Sequence, residues 1–267
     1  MSELNRAELN GKGALVTGST SGIGWAIARA LAQAGADVLL NGFGDPGEIE
    51  ARRAGLQQET GVRVHYDGAD MSNGDDIARL MDEAAGAFGP IDIVVNNAGI
   101  QHVAPIEAFP AEQWDRIIAI NLSSAFHTIR AALPIMRERG WGRIVNVAST
   151  HGLVASKNKS AYVAAKHGIV GLTKTVALEA AEDGITANAI CPGFVRTELV
   201  DRQIAAMAAE RGRETDEVAH EFVSEKHPNG RFVKPEEVGA LAVFLCSDAA
   251  ASITGAVMPM DGGWIAQ

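Results

Sequence analysis

Short apolar runs recur along the chain, with longer stretches of helical periodicity between them. The runs are GALVTG from Gly13, DVLLNG from Asp37, VRVHYDGAD from Val62, IDIVVNNAG from Ile91, GRIVNVAS from Gly142, ITANAICPG from Ile185 and AVMPMDGG from Ala256. Each has the length of a β-strand and reads as apolar on both faces, the pattern of a parallel sheet covered by helices. Between them the spacing changes. From Ser21 to Ala34, the residues Ile23, Ala26, Ile27, Ala30, Leu31 and Ala34 fall on one stripe, and Gly35 follows as a stop. KPEEVGALAVFLCSD opens with Pro235 and two glutamates. That is a favourable first turn: proline lacks an amide that would go unpaired there, and carboxylates face the positive end of the helix dipole. Strand–helix alternation repeated about six times predicts an α/β fold, a Rossmann-type doubly wound parallel sheet of about seven strands. No linker, low-complexity segment or repeat divides residues 1–267, which read as a single domain.

One segment breaks this rhythm. Residues from about 200 to 233 are rich in Ala, Glu and Arg, and Ala205, Met207 and Ala208 predict short amphipathic helices with a solvated outer face. An insertion after the carboxyl end of a strand lies where open α/β sheets take their ligands, so a helical substrate lid is expected here.

Composition narrows the classes. The chain is 47% hydrophobic and 21% charged, with a net charge of −10, which argues against a nucleic-acid or anionic-membrane surface. Two cysteines, Cys191 and Cys246, lack CxxC spacing and read as buried reduced thiols. The N-terminal MSELNRAELNGK is polar and unlike a signal peptide. No apolar run approaches the roughly 18 residues of a membrane span, and no cluster has metal-site spacing. A soluble cytoplasmic protein is expected, with no nucleic-acid or membrane partner and no metal.

TGSTSGIG, Thr17 to Gly24, follows the first strand and opens the first helix. Gly18 takes a tight turn, Gly22 lets the backbone approach a phosphate, and Gly24 lets helix and sheet pack closely. The helix N-terminus then presents unpaired amides to a pyrophosphate. With NNAG at Asn96–Gly99, YVAAK from Tyr162 and the Pro192-Gly193 pair, the spacing TGxxxGIG resembles the short-chain dehydrogenases/reductases from Gly11 to the end of the chain. The resemblance implies a nicotinamide dinucleotide held by Gly18, Thr20, Gly22, Ile23, Gly24, Phe43, Asp70, Met71, Asn97, Ala98, Gly99, Tyr162, Lys166, Pro192, Val195 and Thr197. After the second strand stands Asn41-Gly42-Phe43-Gly44-Asp45, which departs from the usual single acidic residue. No basic residue lies nearby in sequence before Arg52 and Arg53, so nothing neutralises a ribose phosphate, and NAD is favoured over NADP.

Tyr162 and Lys166 are i and i+4 on a predicted helix and share a face. A neighbouring ammonium favours the phenolate, so the tyrosine pKa is expected to fall and its oxygen to serve as general base toward an alcohol. Ser149 ends the fifth strand 13 residues before Tyr162, and Asn121 lies in AINLSSAF. The resemblance implies that Asn121, Ser149, Tyr162 and Lys166 form a catalytic set, with the serine bonding the substrate oxygen and Asn121 holding a relay water.

Around this set stand Gln101 and His102 after NNAGI, His151 two residues after the serine, Lys159 three before the tyrosine, and Gln203 at the opening of the expected lid. An ammonium, an imidazole and amides suit a small carboxylate. NGFG, NNAGIQHVAPIE and STHGLVAS are similar to the subfamily of bacterial D-3-hydroxybutyrate dehydrogenases. That likeness implies reversible, NAD-dependent oxidation of (R)-3-hydroxybutyrate to acetoacetate. It further implies a substrate site of Gln101, Ser149, His151, Lys159, Tyr162, Gln203 and Trp264, and a homotetramer. Phe194, where a tryptophan is common, and Lys157-Asn158-Lys159 depart from the subfamily wording. The alternatives are another member of the family, such as a 3-oxoacyl-thioester or sugar-alcohol reductase using NADP, and a non-catalytic NAD-sensing module.

Overall fold

The computed structural model describes residues 8–87 and 89–267. The polar N-terminal stretch lies, through residue 7, outside the described residues.

From β1 (Gly13–Val16) the chain enters α1 (Gly22–Gln33), returns as β2 (Asp37–Asn41) and leaves through α2 (Pro46–Thr60). β3 (Val64–Asp67), α3 (Gly74–Ala87), β4 (Ile93–Asn96), α4 (Ala111–Ile118) and α5 (Ser124–Arg139) follow. The second half runs β5 (Gly142–Val147), α6 (Ser160–Glu179), β6 (Ile185–Pro192), α7 (Glu198–Arg211), α8 (Thr215–Ser224), α9 (Pro235–Cys246) and β7 (Val257–Met260). All seven strands pair in parallel in the order β3-β2-β1-β4-β5-β6-β7. The order reverses between β1 and β4, the place where a doubly wound sheet opens a crevice at its carboxyl edge.

Alternation along the strands divides the core. Val16, Val38 and Leu40 face α1 and α9 through Ile27, Leu31, Val238 and Leu245. Leu15, Leu39, Val94 and Ile144 face the other way, against Ile77 and Leu80 of α3, Ile129 and Leu133 of α5, and Val176 of α6. β1, β4, β5 and β6 are buried throughout, as the sequence predicts. β3 departs from that prediction. Only its first residue is buried, while His65 and Tyr66 are exposed, because β3 is an edge strand with a neighbour on one side only.

Both cysteines are free and buried, and burial holds the thiols protonated, Cys191 pushed up to about 11 and Cys246 to about 12. Behind the carboxyl edge runs a chain of buried side-chain hydrogen bonds. Thr128 Oγ1 donates to Asn96 Oδ1 (2.7 Å), Asn96 Nδ2 to Asn146 Oδ1 (2.8 Å), and Asn146 Nδ2 to Thr173 Oγ1 (2.8 Å). It ties β4, β5, α5 and α6 together just below the crevice.

The predicted excursion forms α7 and α8, which pack on each other through Ile204, Ala208, Val218 and Ala219. The chain then rejoins the sheet region, where Val233 bridges Val195 in parallel. Among the described residues, no helix is long and apolar enough to cross a membrane.

Candidate active site

The carboxyl edge carries a cleft of about 820 Å³. Gly18, Gly22, Ile23 and Gly24 form one wall, Asn97, Ala98, Gly99, Ile100 and Gln101 another, and Ser149, Tyr162 and Lys166 the floor, with Pro192, Gly193, Phe194, Val195 and Thr197 opposite.

The glycine wall shows why the sequence needs those residues. Gly18 and Gly22 have φ of 62° and 56°, the left-handed region that side chains disfavour. A Cβ on Gly24 would stand 2.2 Å from the Gly18 carbonyl oxygen and 2.4 Å from Asn97 Nδ2. α1 has no acidic residue in its first turn and no side-chain cap, so its leading amides are left to an anion in the cleft. A closely approached, bare helix N-terminus is the cradle that a pyrophosphate fills, and the chain's residues fit that group.

Asn97 is committed to the protein. Its Nδ2 donates to the Thr17 and Gly18 carbonyls (2.9 and 3.0 Å), while Thr17 Oγ1 accepts from the Asn97 and Ala98 amides (3.0 Å each). This clamp locks the NNAG turn onto the glycine turn. Asn41 is likewise turned inward. It is fully buried, and its Nδ2 donates to the Asp67 and Ala69 carbonyls (3.1 and 3.0 Å) while Oδ1 accepts from the Gly18 amide (3.4 Å). Asp45 caps α2, accepting from the Glu48 amide at 3.0 Å. That leaves Gly42, the exposed Phe43 and Gly44 at the end of β2. Thr20 Oγ1 donates to the Phe43 carbonyl (2.9 Å) and joins the two turns. Asp70 accepts from the Ser72 amide and hydroxyl (2.8 Å each), bonds that lower its pKa, and Met71 packs in the core. Thr20, Phe43, Asp70 and Met71 are not among the residues lining the cleft.

One reading of the sequence needs correction. Arg52, 32 positions from Thr20, is brought back by α2 so that its Nη1 donates to the Thr20 carbonyl at 3.1 Å. A cation therefore stands beside the glycine turn, but Glu198 lies 4.0 Å from it and opposes its charge.

At the chemical end, α6 places Tyr162 and Lys166 on one face, with Lys166 Nζ 5.7 Å from the Tyr162 ring. Lys166 is buried, donates to the Val147 carbonyl at 2.7 Å, and is pushed by burial down to about 8. The Tyr162 phenol moves up from its ordinary value, opposite to the direction the sequence predicts. Burial outweighs the hydrogen bond from Ser149 that favours the phenolate. Asn121 lies in a single π-helical turn, Ala119–Ser123, an irregularity common at functional sites. Its side chain pairs with both backbone groups of Ile100, accepting from N–H and donating to C=O at 2.9 Å each.

His151 sits behind Ser149. Its backbone amide donates to Ser149 Oγ (3.1 Å), its Nδ1 lies 3.4 Å from the same oxygen, and its Nε2 lies 2.8 Å from Ser156 Oγ. Its ring meets Tyr162 at 5.9 Å and Trp264 at 5.5 Å, both edge-on. Burial, then the charge of Lys159, push its pKa down to about 4, so the imidazole is neutral at pH 7. Lys159 is half-buried ahead of α6, and its own pKa is lowered by burial.

Gln101 lines the cleft, whereas Gln203 lies exposed on α7 and Arg202 takes the lining position. His102 packs edge-on against Phe109. Three residues absent from the sequence reading belong here: Ser156 on the His151 ring, Arg202, and Lys226, whose Nζ lies 5.9 Å over Trp264. Spacing alone offers no signal for Lys226, which arrives from the far end of the excursion.

A family model described as enoyl-(acyl carrier protein) reductase matches residues 18–265. Two relatives named D-beta-hydroxybutyrate dehydrogenase are similar over nearly their whole length. That of Cupriavidus necator is 61% identical, covering 97% of this chain and 100% of its own, and that of Rhizobium meliloti is 57% identical, covering 96% and 99%. In structure, the L-sorbose reductase of Gluconobacter frateurii, solved with NADPH and L-sorbose, superposes with a TM-score of 0.93 at 29% identity, covering 98% of this chain and 99% of its own. With the glycine cradle, the clamped NNAG turn and the Ser149–Tyr162–Lys166 floor on one cleft, these likenesses carry one conclusion: the chain belongs to the short-chain dehydrogenase/reductase family.

Proposed function

We propose that this protein oxidises (R)-3-hydroxybutyrate to acetoacetate, reversibly, with NAD. The observation that carries the reading is the setting of Ser149 and Tyr162, which lie beside a neutral His151 flanked by Lys159 and Lys226. An alcohol-handling pair beside an imidazole that feels the charges of two lysines suits a small hydroxy acid, and the full-length relatives from C. necator and R. meliloti carry the matching name. NAD rather than NADP is supported by the end of β2, where Asn41 is buried, Gly42 and Gly44 carry no side chain, and Arg52 is opposed by Glu198.

In this reading the Ser149 hydroxyl holds the substrate oxygen and the Tyr162 oxygen takes the hydroxyl proton. Lys166, charged at neutral pH, lies where it favours the phenolate, and the Val147 carbonyl fixes its direction. When bound, the oxidised nicotinamide supplies the acceptor for the hydride leaving the same carbon, and its positive charge favours the phenolate further. Asn121, anchored on Ile100, holds a water on the proton path. Lys159 and Lys226 receive the carboxylate, with Gln101 at the mouth and the α7–α8 excursion acting as lid. Phe126 on α5 and Leu178 on α6 expose 46% and 81% of their surface, which supports a homo-oligomer, a tetramer on family grounds.

The test is NADH formation from both enantiomers and from the methyl ester, with NAD and NADP in parallel. Turnover of the (R) acid with NAD, little of the (S) acid or the ester, and a KM raised at least tenfold in Lys159→Ala are expected. Turnover of the ester equal to that of the acid refutes carboxylate recognition. Preference for a sugar alcohol with NADP would favour the alternative to which the fold of L-sorbose reductase points.

A further inference from the structure

His227 stands where the helical excursion returns toward the sheet, and it is fully buried. Its backbone is fixed, with N–H donating to the Val223 carbonyl at 2.8 Å and C=O accepting from the Gly230 amide at 2.9 Å. Both ring nitrogens are committed. Nε2 accepts from the Phe194 amide at 2.8 Å, and Nδ1 lies 2.8 Å from the Arg231 carbonyl. An amide only donates and a carbonyl only accepts, so a single state satisfies both bonds: the neutral ring with its proton on Nδ1. The ring also lies flat against Phe194, centroids 5.5 Å apart and planes within 9°. Gly193 allows this approach, since a Cβ there would stand 2.3 Å from Nε2. Phe194 in turn meets Trp264 at 5.3 Å, and Pro192 to Val195 line the cleft although His227 does not.

We propose that His227 is a positioning residue: as the neutral Nδ1–H tautomer it fixes the Pro192–Val195 segment against the cleft and so sets dinucleotide affinity from behind the wall. Without the His227 bond the Phe194 amide is left unpaired, and at that residue only its carbonyl, which accepts from the Val233 amide at 2.9 Å, still ties the backbone. The Val195–Val233 bridge and the Gly193 amide bond to the Met260 carbonyl (2.9 Å) hold it on either side. The inference rests on the reading of the cleft as a dinucleotide site.

Asparagine and glutamine separate the two ring bonds. In His227→Asn the carboxamide reaches the Nδ1 position and keeps donation to Arg231. In His227→Gln it reaches the Nε2 position and keeps an acceptor for Phe194. The proposal expects His227→Asn to raise the KM for NAD by about tenfold or more, with kcat within a few-fold, and His227→Gln to recover most of that loss. Gly193→Ala, which displaces an intact His227, is expected to match the asparagine variant. Equal KM values in the two His227 variants, or effects confined to kcat or melting temperature, overturn the proposal. A long-range proton–nitrogen spectrum of the histidine-labelled, cofactor-free parent protein supplies a readout that needs no variant to fold. The Nδ1–H tautomer at His227 is expected, and an Nε2–H or doubly protonated ring at neutral pH overturns the inference. Absence of NADH binding to the parent protein, followed by nucleotide fluorescence, would instead overturn the dinucleotide reading of the cleft.

Discussion

Lowering the pH from 7 to 5 probes how tightly the fold encloses His151. The residue is 5% exposed, and burial, with the charges of Lys159, His167 and Lys226 adding to it, pushes its pKa from 6.5 to about 4. Once the chain unfolds, the ordinary value near 6.5 returns. Between those two values the unfolded state binds a proton that the folded state refuses. Stability is therefore unaffected by this group above pH ~6.5 and is lost as pH falls toward ~4. The linkage amounts to a loss of ~2 kcal/mol at pH 5, levelling off near ~3 kcal/mol in stronger acid. Against a typical total of ~5–15 kcal/mol that is a large fraction. The assay is urea unfolding of the parent protein and His151→Gln at pH 7 and pH 5, at one protein concentration. Carboxylates titrate alike in both proteins, so the difference between their losses isolates the imidazole. The parent protein should lose ~2 kcal/mol more than the variant. Equal losses would refute the argument, because they would mean that the folded protein accommodates the imidazolium as readily as water does.

Two further outcomes follow from packing. Gly24→Ala forces a Cβ to 2.2 Å from the Gly18 carbonyl. The strain should cost ~1–3 kcal/mol of stability and weaken NADH binding at least tenfold by fluorescence titration, whereas unchanged binding would show that the cradle is not where the dinucleotide sits. Asn146→Leu removes the acceptor of Asn96 and a donor to Thr173. Leaving such groups unpaired should cost ~2–4 kcal/mol in chemical denaturation, and a loss under ~0.5 kcal/mol would show that the buried chain contributes nothing net.

The sequence by itself determined what depends on neighbours along the chain. Apolar runs of strand length gave the seven strands, because a buried parallel strand must be apolar on consecutive residues. The glycines of TGSTSGIG were legible because a tight turn and a helix start are local geometry, and Tyr162 and Lys166 because i and i+4 share a helix face. What the tertiary structure decided were properties set by residues far away in sequence. Asn41 opens the stretch where the usual acidic residue is missing after β2, and only the fold shows that Gly18, Asp67 and Ala69 claim its side chain. Arg52 looks distant from the glycine turn until α2 folds it back. Gln203 and Arg202 are adjacent letters, and only the seating of α7 puts Arg202 on the cleft. The direction of the Tyr162 shift depends on how much water the surrounding elements exclude, a quantity that spacing does not contain. His227 acquires a single tautomer only because the excursion brings it to Phe194, 33 positions away. Backbone geometry repeats every few residues and can be read along a line, whereas burial, charge and the partner of each nitrogen are decided by what the fold places next to it.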